Sequence, residues 1–274
     1  MTQLDKTVVL ITGAAGGFGQ ELTRQLLEAG SRLILTDLNE VVLRERVELI
    51  QCQVATGQVL AYLAIDLSTS EGCENLYRQV KALNIPVDIL INNAGIAVFG
   101  RMDEIPSEKW ERLMQINLLT PMRLSALFAA DMIARQRGHI VNISSLAGWW
   151  ASPGLTHYAA SKFGLRGFSE GFFHEVKDYN VKVTAVYPFF SRTPILQCER
   201  FGSFAKGNDD FLEHVATDPA QVMRATIKGI IHNKLHVFPD ATAKNAHLLK
   251  RYFPQIVNSI NDAFLRRLKV DRGK

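Results

Sequence analysis

The sequence predicts an α/β protein in which a parallel sheet of about seven strands lies between two layers of helices. Apolar runs suited to buried strands alternate with amphipathic helical stretches up to about residue 240. This alternation is typical of doubly wound sheets, because each parallel strand needs a crossover connection, usually a helix, before the next one. The first crossover also begins with a glycine-rich turn, and an extra helical segment is expected after residue 240.

The first strand and helix have the pattern of a dinucleotide-binding unit. Val8-Val9-Leu10-Ile11 is continuously apolar, as expected of a strand buried on both faces, and leads into Thr12-Gly13-Ala14-Ala15-Gly16-Gly17-Phe18-Gly19. The glycines would let the backbone approach a pyrophosphate at the N-terminus of the next helix, as in Rossmann-type sheets. The alternative is an ordinary tight turn without a ligand.

The second strand, Leu33-Ile34-Leu35-Thr36, ends at an acidic residue, Asp37. A carboxylate at this place can accept hydrogen bonds from both ribose hydroxyls and would repel a 2′-phosphate. No lysine or arginine lies in the glycine loop or directly after Asp37. The sequence therefore favours NAD over NADP, with a surface aspartate of no binding role as the alternative.

The remaining elements follow the same alternation. Asp218-Pro219 predicts the start of the last helix of the body, because Asp is a good N-cap and Pro suits the first helical position. Further strands are predicted at 59–65, 87–91, 139–143, 181–186 and 235–238, and helices at 40–53, 71–83, from 107 through the 120s, around Tyr158, and from 218 to about 233.

Composition and charge limit the class of protein. The 274 residues include 47% hydrophobic and 21% charged residues, which is ordinary for a globular domain. The three cysteines are scattered without a CxxC or Cys/His pattern, so we expect reduced thiols, a cytoplasmic setting and no metal. We find no signal-peptide pattern and no apolar run of the roughly 18 residues that span a membrane. The net charge of +4 combines +6 in residues 241–274 with −2 in residues 1–240, and a nearly neutral body with a basic tail predicts no nucleic-acid partner.

The predicted chemistry lies in Tyr158-Ala159-Ala160-Ser161-Lys162. Residues i and i+4 share one face of a helix, so this spacing brings an ammonium beside a phenol. We expect the ammonium to lower the pKa of Tyr158 from about 10 towards neutrality, which would suit the tyrosine to exchange a proton with an alcohol or a carbonyl. Taken alone, the same spacing is also typical of a surface pair.

Small and polar residues follow the carboxyl ends of three predicted strands, where parallel sheets bind ligands. The fourth strand leads into Asn92-Asn93-Ala94-Gly95, the fifth into Asn142-Ile143-Ser144-Ser145, and the sixth into Pro188 and then Thr193. Asn117 lies in an apolar helical stretch, where an asparagine usually bonds backbone of its own helix.

Together these motifs resemble the short-chain dehydrogenase/reductase family in its common single-domain form. They occur in the family's order and at its spacings over about residues 6–195. The matching residues are Thr12-Gly13-x-x-x-Gly17-x-Gly19, Asp66, Asn92-Asn93-Ala94-Gly95, Asn117, Ser145, Tyr158 and Lys162.

The resemblance implies roles for four catalytic residues. Tyr158 would be the general acid/base, and Lys162 would lower its pKa and hold the nicotinamide ribose. Ser145 would donate a hydrogen bond to the substrate oxygen, where negative charge develops. Asn117 would hold a water between Lys162 and bulk solvent. Ser144, which points away from Ser145 on the same strand end, is expected to pack or cap.

The resemblance also implies the residues that hold the cofactor. Asp66 would bond the adenine edge, Asn93 would line the adenosine-side ribose, and Thr193 would bond the nicotinamide carboxamide. The full implied set is Gly13, Gly17, Phe18, Gly19, Asp37, Asp66, Asn93, Gly95, Tyr158, Lys162, Pro188 and Thr193.

Two residues depart from the family's pattern. Pro188 is followed by Phe189 where the family usually has glycine, and phenylalanine cannot adopt every conformation open to glycine. Any difference in geometry is therefore expected on the nicotinamide side. Phe18 stands where the family prefers isoleucine, with little expected effect.

The loops above the strand ends are apolar and aromatic, which predicts a hydrophobic alcohol or ketone as substrate rather than a sugar. Residues 189–217 are predicted to form a lid that is mobile without cofactor, because long loops of little periodicity are often functional. Packing of the lid against the body explains the aromatic residues equally well, and His157 is expected to be structural. The residues concerned are Ile96, Val98, Phe99, Trp149, Trp150, Leu155, Phe189, Phe190, Phe201, Phe204 and Phe211.

Residues 1–240 are predicted to form one catalytic and cofactor-binding domain, and residues 241–274 a basic amphipathic helical extension. Apolar residues recur there at helical spacing with a break near Pro254, and lysines and arginines lie among them. Three interpretations stay open: a helix covering the body or a partner subunit, a helix lying on an anionic membrane surface, and a solvated end.

We therefore expect an NAD(H)-dependent oxidoreductase that interconverts a hydrophobic alcohol and its ketone or aldehyde. The alternatives are an NADP-preferring carbonyl reductase and a non-catalytic dinucleotide-binding sensor or scaffold. The resemblance also implies a homodimer or homotetramer.

Overall fold

The computed structural model describes residues 1–204 and 215–270, apart from the side chains of residues 264 and 267–270. Its strands are β1 (Val8–Thr12), β2 (Arg32–Asp37), β3 (Gln58–Ala64), β4 (Ile89–Asn92), β5 (Val98–Phe99), β6 (Gly138–Ile143), β7 (Val181–Val186), β8 (Glu199–Arg200) and β9 (His236–Val237). Its α-helices are α1 (Gly17–Glu28), α2 (Glu40–Gln51), α3 (Ser70–Ala82), α4 (Ser107–Met114), α5 (Thr120–Ala134), α6 (Thr156–Val176), α7 (Pro219–Ile231), α8 (Ala241–Tyr252) and α9 (Pro254–Val270).

Seven of the described strands form one parallel sheet in the order β3-β2-β1-β4-β6-β7-β9. The chain winds outward from β1 to β3, crosses back, and winds outward the other way from β4. The order reverses between β1 and β4, which pair directly from Val9–Ile89 to Ile11–Ile91. Ligands of such sheets bind beyond the carboxyl ends of the strands at this reversal. The predicted Rossmann-type doubly wound fold is confirmed.

Helices cover both faces of the sheet because its strands are apolar on both sides. All five residues of β1 are buried. Val9 and Ile11 point to a core that they share with α1, α2 and α7. Val8 and Leu10 point to a second core that they share with α3, α5 and α6. The alternation follows from the two-residue period of a strand. The glycine loop therefore follows a strand that is packed on both of its faces.

A π-helical turn, Gln115–Leu119, interrupts the long helix that the sequence predicts from residue 107. Within the described chain, Ser107–Ala134 is the one helix long and apolar enough to cross a membrane, with a mean hydropathy of 1.2. Half of the apolar 18-residue window within that stretch is buried, and the stretch packs against α3 and α6. Its apolar composition is therefore that of a core helix.

A second, two-stranded sheet joins two loops above the main sheet. Val98 of β5 pairs with Glu199, and Phe99 pairs with Arg200, in parallel. The sequence predicts no strand at either place, because two residues are too few to show a period. This pairing attaches the first part of the predicted lid to the loop after β4. Residues 205–214 of the lid, which include Phe211, lie outside the described residues.

The C-terminal segment forms two helices with the predicted break at Pro254. Asp240 caps α8, since its carboxylate accepts a hydrogen bond from the Ala243 amide at 2.7 Å. Ala243 and Val257 are fully buried against the body.

Candidate active site

The carboxyl ends of the central strands open into a cleft of about 1180 Å³. Gly13, Asp37 and Asp66 line one end, and Ser145 and Tyr158 line the other. A cleft of this size exceeds the pocket of an ordinary small ligand, so it has room for a dinucleotide and a substrate together.

The glycine loop leaves no space for side chains. Gly13 has a φ of +65°, and a Cβ there would lie 2.8 Å from the Cα of Ala94. A Cβ on Gly17 would lie 2.6 Å from the Cγ2 of Thr193, and one on Gly19 would overlap the carbonyl oxygen of Gly13. The N-terminus of α1 is therefore bare backbone facing the cleft, which fits a pyrophosphate.

Asp37 is held at the same end by backbone amides. Its carboxylate accepts hydrogen bonds from Ala15 and from Leu38, each at 2.8 Å. The guanidinium of Arg46, on α2, donates to the carbonyl oxygen of Ala15 and also lines the cleft. The sequence pattern does not indicate this cation, because Arg46 follows Asp37 by more than two helical turns.

Asp66 and Asn93 border the cleft after β3 and β4. The Ser68 amide donates to Asp66 at 2.9 Å, and hydrogen bonds from Ser68 hold the pKa of this carboxyl below its usual range. The Asn93 side chain donates to the carbonyl oxygens of Thr12 at 2.9 Å and Gly13 at 3.0 Å. Asn93 therefore fixes the start of the glycine loop through its side-chain amide.

Tyr158 and Lys162 lie on one face of α6, as their spacing predicts. The Lys162 Nζ is 5.6 Å from the centre of the Tyr158 ring and donates to the Ile143 carbonyl oxygen at 3.0 Å. Ser145, two residues after β6, lies close enough to Tyr158 to lower the pKa of the Tyr158 hydroxyl, and both residues line the cleft. The Ser144 hydroxyl points away and donates to the Lys162 carbonyl oxygen at 3.1 Å, which confirms its packing role.

The predicted low pKa of Tyr158 is wrong for the protein chain by itself. Burial raises the pKa of Tyr158 to about 12, an increase that the hydrogen bond from Ser145 only partly offsets. Burial also lowers the pKa of Lys162 to about 8. Desolvation dominates because the ammonium bonds to the Ile143 carbonyl instead of lying on the phenol oxygen.

Asn117 lies in the π-helical turn and is fully buried. Its side chain accepts from the Ile96 amide at 2.9 Å and donates to the Ile96 carbonyl oxygen at 2.8 Å. It therefore binds the loop after β4 and not its own helix. Gly95 lies beside it, since a Cβ there would be 3.3 Å from the Asn117 Oδ1 and 3.8 Å from the Lys162 Nζ.

The loop after β7 accommodates phenylalanine without strain. The positive-φ residues of the described chain do not include Phe189, so the position does not require glycine. The Phe189 amide donates at 3.1 Å to Asp240, the residue that caps α8. Pro188 and Thr193 line the cleft, and Thr193 packs over Gly17.

The apolar loops divide into cleft walls and packing residues. Trp149 packs against the rings of Tyr187 and Phe238 and does not line the cleft. The Arg166 guanidinium lies 3.2 Å from the centre of the Trp149 ring. His157 is buried and bonds the Val98 carbonyl oxygen at 2.9 Å, which confirms its structural role. Phe204 lines a neighbouring cavity of about 570 Å³. The predicted residues that do line the cleft are Ile96, Phe99, Trp150, Leu155, Phe189 and Phe190.

The C-terminal segment supplies a wall that the sequence analysis misses. The Asn261 side chain accepts from the Trp150 indole N–H at 2.9 Å and donates to the Ala151 carbonyl oxygen at 3.1 Å. Ile260 lines the cleft beside it. No sequence period links α9 to a loop more than a hundred residues earlier. Other lining residues that the sequence analysis does not single out are Arg112, Cys198, Arg200, Thr242 and Ala246.

Comparison with known proteins gives one family. The model for short chain dehydrogenases matches residues 7–200. Epidermal retinol dehydrogenase 2 of Homo sapiens is 33% identical over 250 residues, which are 90% of this chain and 78% of that protein. A solved metagenomic short-chain oxidoreductase in complex with NADP is 36% identical, with a TM-score of 0.64, and the match covers 68% of this chain and 84% of that one. A short-chain dehydrogenase/reductase from Burkholderia phymatum in complex with NAD shares the fold, with a TM-score of 0.81, 22% identity, and coverage of 93% and 96%.

The chain belongs to the short-chain dehydrogenase/reductase family. It is thus an oxidoreductase of the class that uses a nicotinamide dinucleotide. The glycine loop without side chains and the Asp37 carboxylate, which is held by backbone amides, fit that cofactor.

Proposed function

We propose that the protein interconverts a hydrophobic alcohol and its ketone or aldehyde, with NAD(H) as cofactor and Tyr158 as general acid/base. The observation that carries the proposal is that Ser145 and Tyr158 lie close together in the lining of the cleft, at its apolar end. This pair presents a donor and a proton-exchanging hydroxyl to one point, as the oxygen of a reacting alcohol or carbonyl requires.

Each catalytic residue has a separate task. The deprotonated form of Tyr158 takes the hydroxyl proton in oxidation, and the protonated form returns it in reduction, while Ser145 donates to the same oxygen. Lys162 lies behind Tyr158, where a buried amine with a pKa near 8 exchanges protons readily at neutral pH. Asn117 fixes the loop that carries Gly95, and we propose that it also holds a water on the path from Lys162 to solvent.

The cofactor would lie along the cleft with its pyrophosphate on the glycine loop. Gly13, Gly17 and Gly19 leave the backbone bare, Phe18 lies between them, and Pro188 and Thr193 border the other end. When bound, a nicotinamide supplies a carbon that accepts or gives hydride.

Asp37 supports a preference for NAD, because its carboxylate would meet the ribose hydroxyls and repel a 2′-phosphate. Arg46 favours the alternative of an NADP-preferring reductase. Its guanidinium lies at the same end of the cleft and could pair with that phosphate. We favour NAD because two backbone amides hold the Asp37 charge in place.

The substrate proposal rests on the cleft walls. Ile96, Phe99, Leu155 and Phe190 surround the catalytic end, and a retinol dehydrogenase among the relatives is named for an apolar alcohol. We further propose a cytoplasmic homodimer or homotetramer. The setting is supported by the three free cysteines, and the assembly by the resemblance to the family.

Tyr158→Phe tests the catalytic assignment. It should reduce turnover of apolar alcohols by at least roughly a hundredfold while NADH binding, followed by fluorescence, is retained, because the other cofactor-holding residues stay in place. Tyr179→Phe, at an exposed tyrosine outside the cleft, is the matched control and should retain full activity. Turnover that survives Tyr158→Phe would overturn the proposal. A wild type that binds cofactor but turns over none of a broad panel of apolar alcohols and ketones would favour the alternative of a non-catalytic sensor.

Titration with NADH and NADPH tests the cofactor preference. We expect NADH to bind at least about tenfold tighter, corresponding to about 1.4 kcal/mol. Asp37→Ala should reduce this difference in affinity, and Arg46→Ala should weaken the binding of NADPH more than the binding of NADH. Tighter NADPH binding by the wild type would show that Arg46 outweighs Asp37.

A further inference from the structure

Exposed apolar side chains are concentrated on the two C-terminal helices. Of the fourteen most exposed large apolar residues in the described chain, five lie between residues 248 and 260. We name these five the C-terminal apolar face: Leu248 (41% exposed), Tyr252 (64%), Phe253 (56%), Ile256 (47%) and Ile260 (42%). A cluster of this kind on a surface typically marks an interaction site.

This face does not hold the helices on the body. Val257 is fully buried, Asn261 bonds Trp150 and Ala151, and Leu265 lines the neighbouring cavity. These inward residues attach α9, whereas Ile256, one residue before Val257, points outward. A helix that only covers the body needs no second apolar face, because a single stripe suffices.

Positive charge surrounds the face. Residues 241–270 contain six lysines and arginines against one aspartate. Lys250 and Arg251 lie in the last turn of α8, next to Tyr252, and Arg266 is exposed on α9. Within the described residues these three side chains form no ion pair, so their charge is available to a partner.

We propose that the C-terminal apolar face docks on an anionic phospholipid surface, with Phe253 and Ile256 entering the headgroup region. Apolar residues next to lysines and arginines are the combination that binds helices in the plane of an anionic bilayer. A second copy of this chain fits less well as the partner, because a symmetric contact would bring the two basic clusters together.

The docking is independent of the proposed function, since lipid binding is measured without turnover. It has a consequence for the cleft, because Ile260 belongs to the face and also lines the cleft. The catalytic end would then open close to the lipid, where apolar alcohols concentrate.

Co-sedimentation of the full chain with vesicles tests the proposal. The protein should bind vesicles of phosphatidylcholine mixed with phosphatidylglycerol much more strongly than vesicles of phosphatidylcholine alone. Binding should weaken as salt is added, because salt screens the attraction between exposed charges.

Two double variants separate the apolar and the charged contributions. Lys250→Ala with Arg251→Ala should reduce partitioning roughly tenfold to 30-fold, given about 1 kcal/mol for each charge near an anionic surface. Phe253→Glu with Ile256→Glu should abolish binding. The matched controls are Arg78→Ala with Lys177→Ala, at exposed sites, and Val41→Glu with Leu49→Glu, at sites 65% and 67% exposed on α2. Both should bind as the wild type does. NADH affinity and the unfolding temperature check that all variants are folded.

Failure of the wild type to bind anionic vesicles more than neutral ones would overturn the proposal. A second result would also overturn it: the wild type binds no vesicles, and Phe253→Glu with Ile256→Glu changes the molar mass of the protein in solution. The C-terminal apolar face would then be a contact between copies of the chain. Equal losses in the controls and the variants would show binding without a specific face, and would also refute it.

Discussion

Lys162→Met should make the protein more stable at neutral pH. Lys162 is only 5% exposed, and its ammonium bonds the Ile143 carbonyl oxygen without a carboxylate partner in the described chain. Burial therefore lowers its pKa from 10.5 to about 8. A difference of this size between the folded and the unfolded state corresponds to roughly 3 kcal/mol of lost stability when the lysine is protonated in both states.

The sign of the pH dependence follows from proton counts. Between pH 8 and 10.5 the unfolded chain holds a proton on this lysine that the folded chain has released, so the stability of the wild type rises with pH. Methionine keeps the apolar stem and removes the charge, but it leaves the Ile143 carbonyl unpaired, at a cost of about 1 kcal/mol. We expect Lys162→Met to be about 2 kcal/mol more stable at pH 7, with the advantage disappearing towards pH 10.

Urea unfolding followed by tryptophan fluorescence at several pH values measures this difference. The variant must be compared with the wild type at each pH, because cysteines and tyrosines also titrate in this range. Lys177→Met, at an exposed lysine, is the control and should give a difference that does not change with pH. A variant that is less stable at pH 7, or a difference that is constant with pH, would refute the argument from burial.

Three further changes test other parts of the structure, and the first and third of them have a matched reference variant. Asp240→Ala should lower the free energy of unfolding by about 2–3 kcal/mol, because it removes both a helix cap and the hydrogen bond to the loop after β7. Asp218→Ala removes only a helix cap and should lower it by about 1 kcal/mol. Equal losses for the two variants in urea unfolding would contradict this. Burial lowers the pKa of His139 to about 3, so the free energy of unfolding should fall as the pH drops from 6.5 towards 3, by at most roughly 5 kcal/mol. His139→Asn should reduce this dependence on pH, and the same dependence in the variant and the wild type would refute the role of His139. Gly17→Ala should weaken NADH binding by roughly tenfold or more, since its Cβ would collide with the threonine above it, while Gly167→Ala, with open space around it, should bind normally in the same titration.

The regular elements could be predicted because their signals are local. A continuous apolar run followed by glycines defines β1 and the start of α1 within a dozen residues. The spacing of Tyr158 and Lys162 correctly places them on one helical face. The same spacing gives the wrong direction for the tyrosine's pKa, since burial is a property of the whole fold and outweighs the neighbouring charge.

Features that depend on distant contacts could not be predicted. Arg46 reaches the adenosine end only because of the way α2 packs, and Asn261 meets Trp150 across 111 residues of chain. The π-helical turn at Asn117 has no compositional signal, and β5 and β8 are too short to show one. Phe189 is tolerated because the loop has an ordinary φ there, which no sequence pattern specifies.

The wall that α9 adds to the cleft also has a consequence for biosynthesis. The glycine loop and the strands that flank it are made long before Ile260 and Asn261. Domains generally fold as units, the N-terminal one first, so the body can fold before α9 docks, and the catalytic end then still lacks a side. A nascent chain would thus pass through a stage that holds dinucleotide but leaves its apolar substrate pocket open to chaperones.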